Sequence, residues 1–346
     1  MEAYTSRVRQ CAALAMIALG GCNGDLPAAS FVEKLRVLAV QADPPEVAPG
    51  ETTSLRALAV EPAVSQSDGA APLPISALWL ACRIPAGVQA APCGLDPSTG
   101  VPEVSATSAP PLCADDPSAS LCIVGTELSA QYTPDGAAIG STGTGQLLLT
   151  LTVADDAGGA TGCLTAVAEN GGLPTDSDHC VIALKRLTVS TPEHLATNPR
   201  NSNPTLVSFD LTPNGVDGGD EIDLIVDGGT GMFTESGKQS SGYKIAVDRA
   251  AGSSEIKSDG TYESLILSWF TTSGSIDGGR SLFAPKNCDS QSACPKVEPS
   301  IESSTTWTAP TSDMYAKTAN GEVLFWAVLR DDRGGESWLA GSASPQ

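Results

Sequence analysis

The residues that could do chemistry are few in this chain, and their spacing is the first constraint. Only two histidines occur, His179 and His194. Neither stands in a Gly-x-Ser-x-Gly, His-Glu-x-x-His or Gly-x-x-x-x-Gly-Lys setting, so no serine-hydrolase elbow, zinc-protease helix or phosphate loop is written here. His179 lies beside Asp176, Asp178 and Cys180, a donor set that could hold a metal, or a polar loop between Cys163 and Cys180. Asp217, Asp220 and Asp223 sit on a glycine-rich stretch and are the candidate calcium ligands, because hard oxygen donors suit that ion. They lack the regular spacing of an EF-hand loop, and a solvated acidic turn is the favoured reading over a metal site. The paired carboxylates Asp155/Asp156 and Asp331/Asp332 invite acid–base chemistry. Each pair, however, opens the same Asp-Asp-x-Gly-Gly phrase, and a repeated turn explains them without an active site. The expectation is therefore a non-enzymatic protein with no cofactor.

That repeat sets the domain organisation. Leu147–Ala154 and Val323–Arg330 are apolar runs of strand formers, each followed by Asp-Asp-x-Gly-Gly, which predicts strand plus hairpin turn twice. A strand with a central tryptophan precedes each copy, Trp79 in the first and Trp269 in the second, and both tryptophans are in phase with inward aliphatics. Trp326 is out of phase with Val323, Phe325, Ala327 and Leu329. It and Trp338 are the candidate aromatics for a glycan or protein contact, with burial under a neighbouring sheet or domain as the competing reading. Short strand patterns separated by Gly, Pro and Asn turns, few aromatics and no long helical period predict an all-β fold of two sandwiches. The expected division is 31–190 and 205–346, with 191–204, rich in Pro and Asn, as a semi-rigid linker.

The N-terminus carries an address. Arg7 and Arg9 precede a short apolar run that ends in Leu19-Gly20-Gly21-Cys22. About a dozen apolar residues are too short to span ~30 Å of hydrocarbon, so 1–21 is predicted to be a cleaved signal peptide. Leu-Gly-Gly-Cys resembles the bacterial lipobox, which implies diacylglycerol on the Cys22 sulfur and a further acyl chain, such as palmitate, on its amine. Residues 22–30 would then be an acylated tether. Several acyl chains anchor a protein stably where one would not, so the expected location is the outer membrane, on its periplasmic or cell-surface face.

Ten cysteines become eight once Cys11 leaves with the signal and Cys22 is acylated. An even number in an exported chain predicts four disulfides. Spacing groups them as neighbours: Cys82 with Cys93, Cys113 with Cys122, Cys163 with Cys180, and Cys288 with Cys294. Eight cysteines permit 105 pairings, so connectivity stays open at this point. The formal charge of −21 repels phosphate backbones and disfavours nucleic-acid binding.

The phrase "strand with Trp, then Tyr132-Thr-Pro134 or Thr308-Ala-Pro310, then strand-Asp-Asp-x-Gly-Gly" is similar to immunoglobulin-like domains of the PKD type. Leu35–Val40, Pro44–Glu51, Ala183–Arg186, Asn203–Leu206 and Thr306–Pro310 resemble segments of uncharacterised myxobacterial lipoproteins. The resemblance implies two tandem immunoglobulin-like β-sandwiches on a lipid anchor, and no activity. The function expected from these readings is a binding or scaffolding module in an envelope assembly, with other envelope proteins as partners. The alternative is a module that binds extracellular polysaccharide.

Overall fold

The computed structural model describes residues 29–61, 74–83, 93, 110–170, 179–214, 222–224, 231–233, 242–285, 288, 292–310 and 322–345. The signal peptide, Cys22 and nearly all of the tether lie outside this set, as do Asp217 and Asp220.

The fold is all-β, and the described residues build four sheets. In the N-terminal half, β1 (Arg36–Asp43), β3 (Thr53–Val60) and β6 (Ser129–Tyr132) form one sheet in the order β1-β3-β6. Its mate comprises β2 (Glu46–Val47), β4 (Ser76–Arg83), β5 (Leu121–Gly125), β7 (Thr144–Ala154) and β8 (Cys180–Ser190), in the order β2-β8-β7-β4-β5. The C-terminal half repeats this plan. Here β9 (Leu206–Pro213), β12 (Gly242–Arg249) and β16 (Glu302–Thr308) are flanked by the two-residue strands β10 (Ile222–Asp223) and β14 (Ser275–Ile276). Opposite lie β11 (Gly231–Phe233), β13 (Ile266–Thr271), β15 (Arg280–Leu282), β17 (Val323–Arg330) and β18 (Glu336–Pro345), in the order β11-β18-β17-β13-β15. In both halves the last long strand is paired in parallel by a short early strand, β2 on β8 and β11 on β18. The other pairings between strands are antiparallel. One connectivity used twice is the immunoglobulin-like sandwich that the repeat implies.

Each sandwich has its own core, and alternation decides which side chains enter it. Leu147, Leu149, Leu151 and Val153 of β7 meet Trp79 and Leu55 in the first. Val323, Phe325, Ala327 and Leu329 of β17 meet Trp269, Trp307 and Phe209 in the second. Trp79 and Trp269 are both fully buried, and their indole N–H groups donate to the Glu127 carbonyl at 2.7 Å and to Ser281 Oγ at 2.9 Å. A buried ring needs such a partner for its one polar atom. The four disulfides join the expected neighbours, Cys82–Cys93, Cys113–Cys122, Cys163–Cys180 and Cys288–Cys294.

Three sequence expectations change. The second Asp-Asp-x-Gly-Gly is the predicted hairpin, closing β17 onto β18 with Arg330 opposite Glu336. The first is not: it opens a helix, Gly159–Asn170. Asp156 Oδ1 accepts the Gly159 N–H at 2.8 Å, and Ser76 Oγ accepts the Ala160 N–H at 2.8 Å, satisfying donors that a helix start leaves orphaned. Ala160, Cys163, Leu164 and Val167, at helical spacing, then pack towards the outer face of the five-stranded sheet. Second, residues 83–128, rich in Pro, Ser and Gly with three cysteines, read from sequence as a disulfide-tied excursion, yet Leu121–Gly125 within them is strand β5 beside β4. Third, the linker, read as semi-rigid, carries structure of its own. It holds the short helix Pro192–Thr197, capped by Thr191 Oγ1, and then a segment bonded to both sandwiches.

Candidate functional site

The sandwiches meet along a buried seam, and the side chains that could act together gather there. Strand β1 supplies one wall. A bulge between Val37 and Ala39 turns Leu38 and Ala39 outward together while Val40 and Ala42 stay in the first core. Leu38, Ala39, Val32 and Val60 pack on Trp326 and Val328 of β17. Trp326 is 6% exposed, so this candidate for glycan contact lies inside the seam and presents no surface for stacking. Its odd phase reflects a second buried face, the competing reading. Trp338 is half-buried on the rim, where the Arg56 guanidinium lies 5.6 Å from its ring centroid.

Polar groups close the seam around Glu336, the first residue of β18. One carboxylate oxygen accepts from the Val40 N–H at 3.3 Å and from Lys185 Nζ at 3.4 Å. The other lies 2.7 Å from an Arg330 guanidinium nitrogen, close enough for charge pairing although not aligned as a hydrogen bond. The Glu336 carbonyl accepts from Gln41 Nε2 at 2.6 Å, and its N–H donates to Asn203 Oδ1 at 2.9 Å. Burial pulls Lys185 below the ordinary lysine range, and the Glu336 carboxylate opposes that pull. Lys185 Nζ also donates to the Gly334 carbonyl at 2.7 Å, tying the β17–β18 turn to the first sandwich.

Linker residues are held from both sides. Glu46 accepts the Asn201 N–H at 2.9 Å and the Ser190 hydroxyl at 2.5 Å, and its carbonyl accepts Arg200 Nε at 2.8 Å. Arg200 also pairs with Glu51, whose carboxyl is held below its ordinary value chiefly by that bond. On the other side, Arg333 pairs with Glu263 and Glu255 and donates to the Pro199 carbonyl at 2.9 Å. Asp331 shapes the turn that carries Arg333, accepting from the Arg333 N–H at 2.8 Å and the Gly335 N–H at 2.7 Å. A polar cleft of about 460 Å³ runs beside this linker, with Gln146, His194, Lys257, Asp332 and Arg333 among its walls. The arrangement fixes the angle between two sandwiches.

Close packing of the turn makes a sharp expectation. A Cβ on Gly335 would stand 2.1 Å from Asp331 Oδ2 and 2.8 Å from the Ser202 carbonyl. Gly335→Ala is expected to lower stability by about 1–3 kcal/mol through overpacking, read from urea unfolding midpoints. Gly162→Ala, in the helix with open space around it, is the control and should be neutral or slightly stabilising. Equal effects at the two sites would contradict this account of the turn.

The remaining sequence candidates lie elsewhere. His179 Nδ1 is 2.8 Å from Asp155 Oδ1 at the far end of the first sandwich, while His194 lines the cleft by the linker, so the histidines serve different places. Burial, and then the neighbouring Asp155 carboxylate, push Glu61 above its ordinary value. Asp176 and Asp178 lie outside the described residues, and Asp223 is placed in β10 opposite Asp210. Among the described residues no group of three or more His, Cys, Asp or Glu side chains is arranged to hold a metal ion. No helix among them is long and apolar enough to cross a membrane.

Comparison with known proteins adds little to this geometry. No family model matches the chain, and no curated protein matches it. Among solved structures, the native conformation of alpha-2-macroglobulin from E. coli aligns at 9% identity and a TM-score of 0.20, over 90% of this chain and 17% of that one. A Salmonella alpha-2-macroglobulin reacted with methylamine aligns at 8% identity and a TM-score of 0.21, over 94% of this chain and 18% of that one. The chain thus spans under a fifth of either protein, and at that similarity neither fold nor function transfers.

Proposed function

We propose that this protein is a non-enzymatic lipoprotein of the outer envelope, anchored through acylated Cys22, whose two sandwiches serve as one binding or scaffolding module in a cell-surface or periplasmic assembly. The observation that carries this reading is the seam. Two sandwiches joined by a buried Trp326, a buried Lys185–Glu336 pair and a linker bonded on both sides present their outer surfaces at a fixed angle. Such preorganisation favours docking of a folded partner, since little conformational freedom remains to be lost on binding. Four local disulfides suit an exported module. Polysaccharide adhesion, the alternative read from the sequence, loses its leading aromatic with Trp326 inside the seam.

Cross-linked affinity purification from native membranes, read by mass spectrometry, tests this. A stoichiometric protein partner is the expected result. Recovery of the protein alone, or with polysaccharide only, would overturn the scaffold. The same spectra should show a mature N-terminus at a lipid-modified Cys22; an unmodified N-terminus elsewhere would remove the anchor.

A further inference from the structure

The turn that carries Arg333 holds more buried negative charge than one guanidinium balances. Glu263 is fully buried; one of its oxygens accepts Arg333 Nε, the other the Glu255 N–H at 3.1 Å. Asp331 is buried with one carboxylate oxygen bonded to the turn and the other without a partner. Glu255 receives Arg333 Nη2 and also the Ser202 N–H at 3.3 Å. The charged groups facing Glu263 are therefore Arg333 and Asp331 from the turn and Glu255 from the segment after β12. Around them, Lys257 is paired with Asp332 at 2.9 Å, and Lys185 with Glu336. Three carboxylates share Arg333, Lys185 of the first sandwich also acts on Asp331 through its charge, and the linker meets this cluster through the Pro199 carbonyl and the Ser202 N–H.

We propose that Glu255, Glu263, Asp331 and Arg333 form a proton-operated latch that holds the linker at 199–203 against the second sandwich, closed when the buried carboxylates retain one proton and loosened when all are ionised. The same residues do two jobs, which is the basis of the coupling. Arg333 is the counter-ion of Glu263 and the donor to Pro199; Glu255 is its other carboxylate and the acceptor for Ser202. Relief of repulsion between Glu263 and Asp331 requires the turn to move outward into water, and that movement takes Arg333 away from the linker.

Protonation energetics support the direction. Burial first, and then the Asp331 charge, push Glu263 up to about 7, while Arg333 restrains the rise. Burial likewise raises Asp331. In a loosened turn Glu263 regains water and its ordinary value of 4.5. An acid whose value is raised in the closed state favours that state fully at pH values below its ordinary value, and the advantage disappears as pH climbs through about 7. Between about pH 5 and about pH 8 the closed-to-open ratio is expected to fall at least roughly tenfold. The latch operates on interdomain coupling whether or not the scaffold reading of function holds.

Hydrogen exchange of the full chain tests it, at the amides of Ser202 and Gly335, corrected for intrinsic base catalysis. Core amides of Leu149 and Val247 serve as references. Wild-type protection at the linker and turn should drop about tenfold or more across that range relative to the core. Glu263→Gln, which cannot ionise, should flatten the drop. A wild-type profile that tracks the core, or a variant that keeps the full drop, would overturn the latch. Carboxyl-carbon NMR of Glu263 in the wild type needs no variant to fold: a midpoint in the ordinary glutamate range would overturn it as well, and one near neutrality is expected.

Discussion

Trp326→Ala is expected to lower stability by about 3–5 kcal/mol, in the range for truncating a buried aromatic, and to uncouple the two sandwiches. The indole packs between Leu38 and Ala39 of the first sandwich and Val328 of the second. Its removal leaves a cavity that neither sheet can fill by itself, because each is also committed to its own core on the opposite face. The first sign should be calorimetric: one cooperative transition in the wild type becomes two, since each half retains an independent core. Trp338→Ala, on the rim over Arg56, should cost under about 1.5 kcal/mol, the scale of a single cation–π contact plus partial burial. If Trp326→Ala instead left the unfolding curve unchanged but abolished retention on a polysaccharide matrix, the seam would be the wrong home for this residue and the adhesion reading would return.

The same residue shows how far the sequence could be read. Val323, Phe325, Ala327 and Leu329 announce an inward face, and with Trp79 and Trp269 they locate both cores correctly. Leu324, Trp326 and Val328 on the alternate positions make the run apolar on both faces, the pattern of a strand covered twice. Strand β1 carries the same mark in Val37-Leu38-Ala39-Val40. Two-sided burial is thus legible; which surface provides the cover is not. At the equivalent outward place in the first sandwich, Thr150 accepts the Cys93 N–H at 2.8 Å, so there Cys93, bridged to Cys82, packs on the sheet face that β1 covers in the second. A period of two reports burial without naming a partner, and the seam had to come from tertiary structure.

The helix at Gly159 is a different case, because its signal was present. Ala160, Cys163, Leu164 and Val167 fall at i, i+3, i+4 and i+7, one face of a helix. The repeated Asp-Asp-x-Gly-Gly points to a hairpin at the same place, and a four-residue stripe is a short signal beside it. What separates the two copies physically is the residue that follows. Gly335 is succeeded by Glu336, whose carboxylate is drawn into the seam and starts β18 at once. Gly159, at φ +60°, is succeeded by Ala160, whose N–H finds Ser76 Oγ and starts a helix. The polar seam was the least legible part of the chain. Lys185 and Glu336 are ordinary surface types in strands, and their burial comes with the approach of the other sandwich, while Glu263 is buried against the Arg333 turn of its own half.

Glu336→Ala should show what that approach demands of charge. Removing the carboxylate leaves Lys185 Nζ inside the seam with the Gly334 carbonyl as its remaining hydrogen-bond acceptor, and strands the Val40 N–H without its acceptor. Breaking a buried ion pair from one side typically costs 3–5 kcal/mol, because the surviving charge stays desolvated. Lys185→Met alone should be milder: Glu336 keeps Val40 and the nearby Arg330 guanidinium. The decisive variant is the double one. With Lys185→Met and Glu336→Leu together, neither charge is buried, and the pair of apolar side chains can extend the Trp326 cluster next door. Urea midpoints for the wild type, Lys185→Met, Glu336→Leu and the double variant should give a coupling of roughly 1–3 kcal/mol, with the double variant well above Glu336→Ala in stability. Strict additivity would mean that the two groups do not sense each other across 3.4 Å, and that the sandwiches are held by the apolar half of the seam alone.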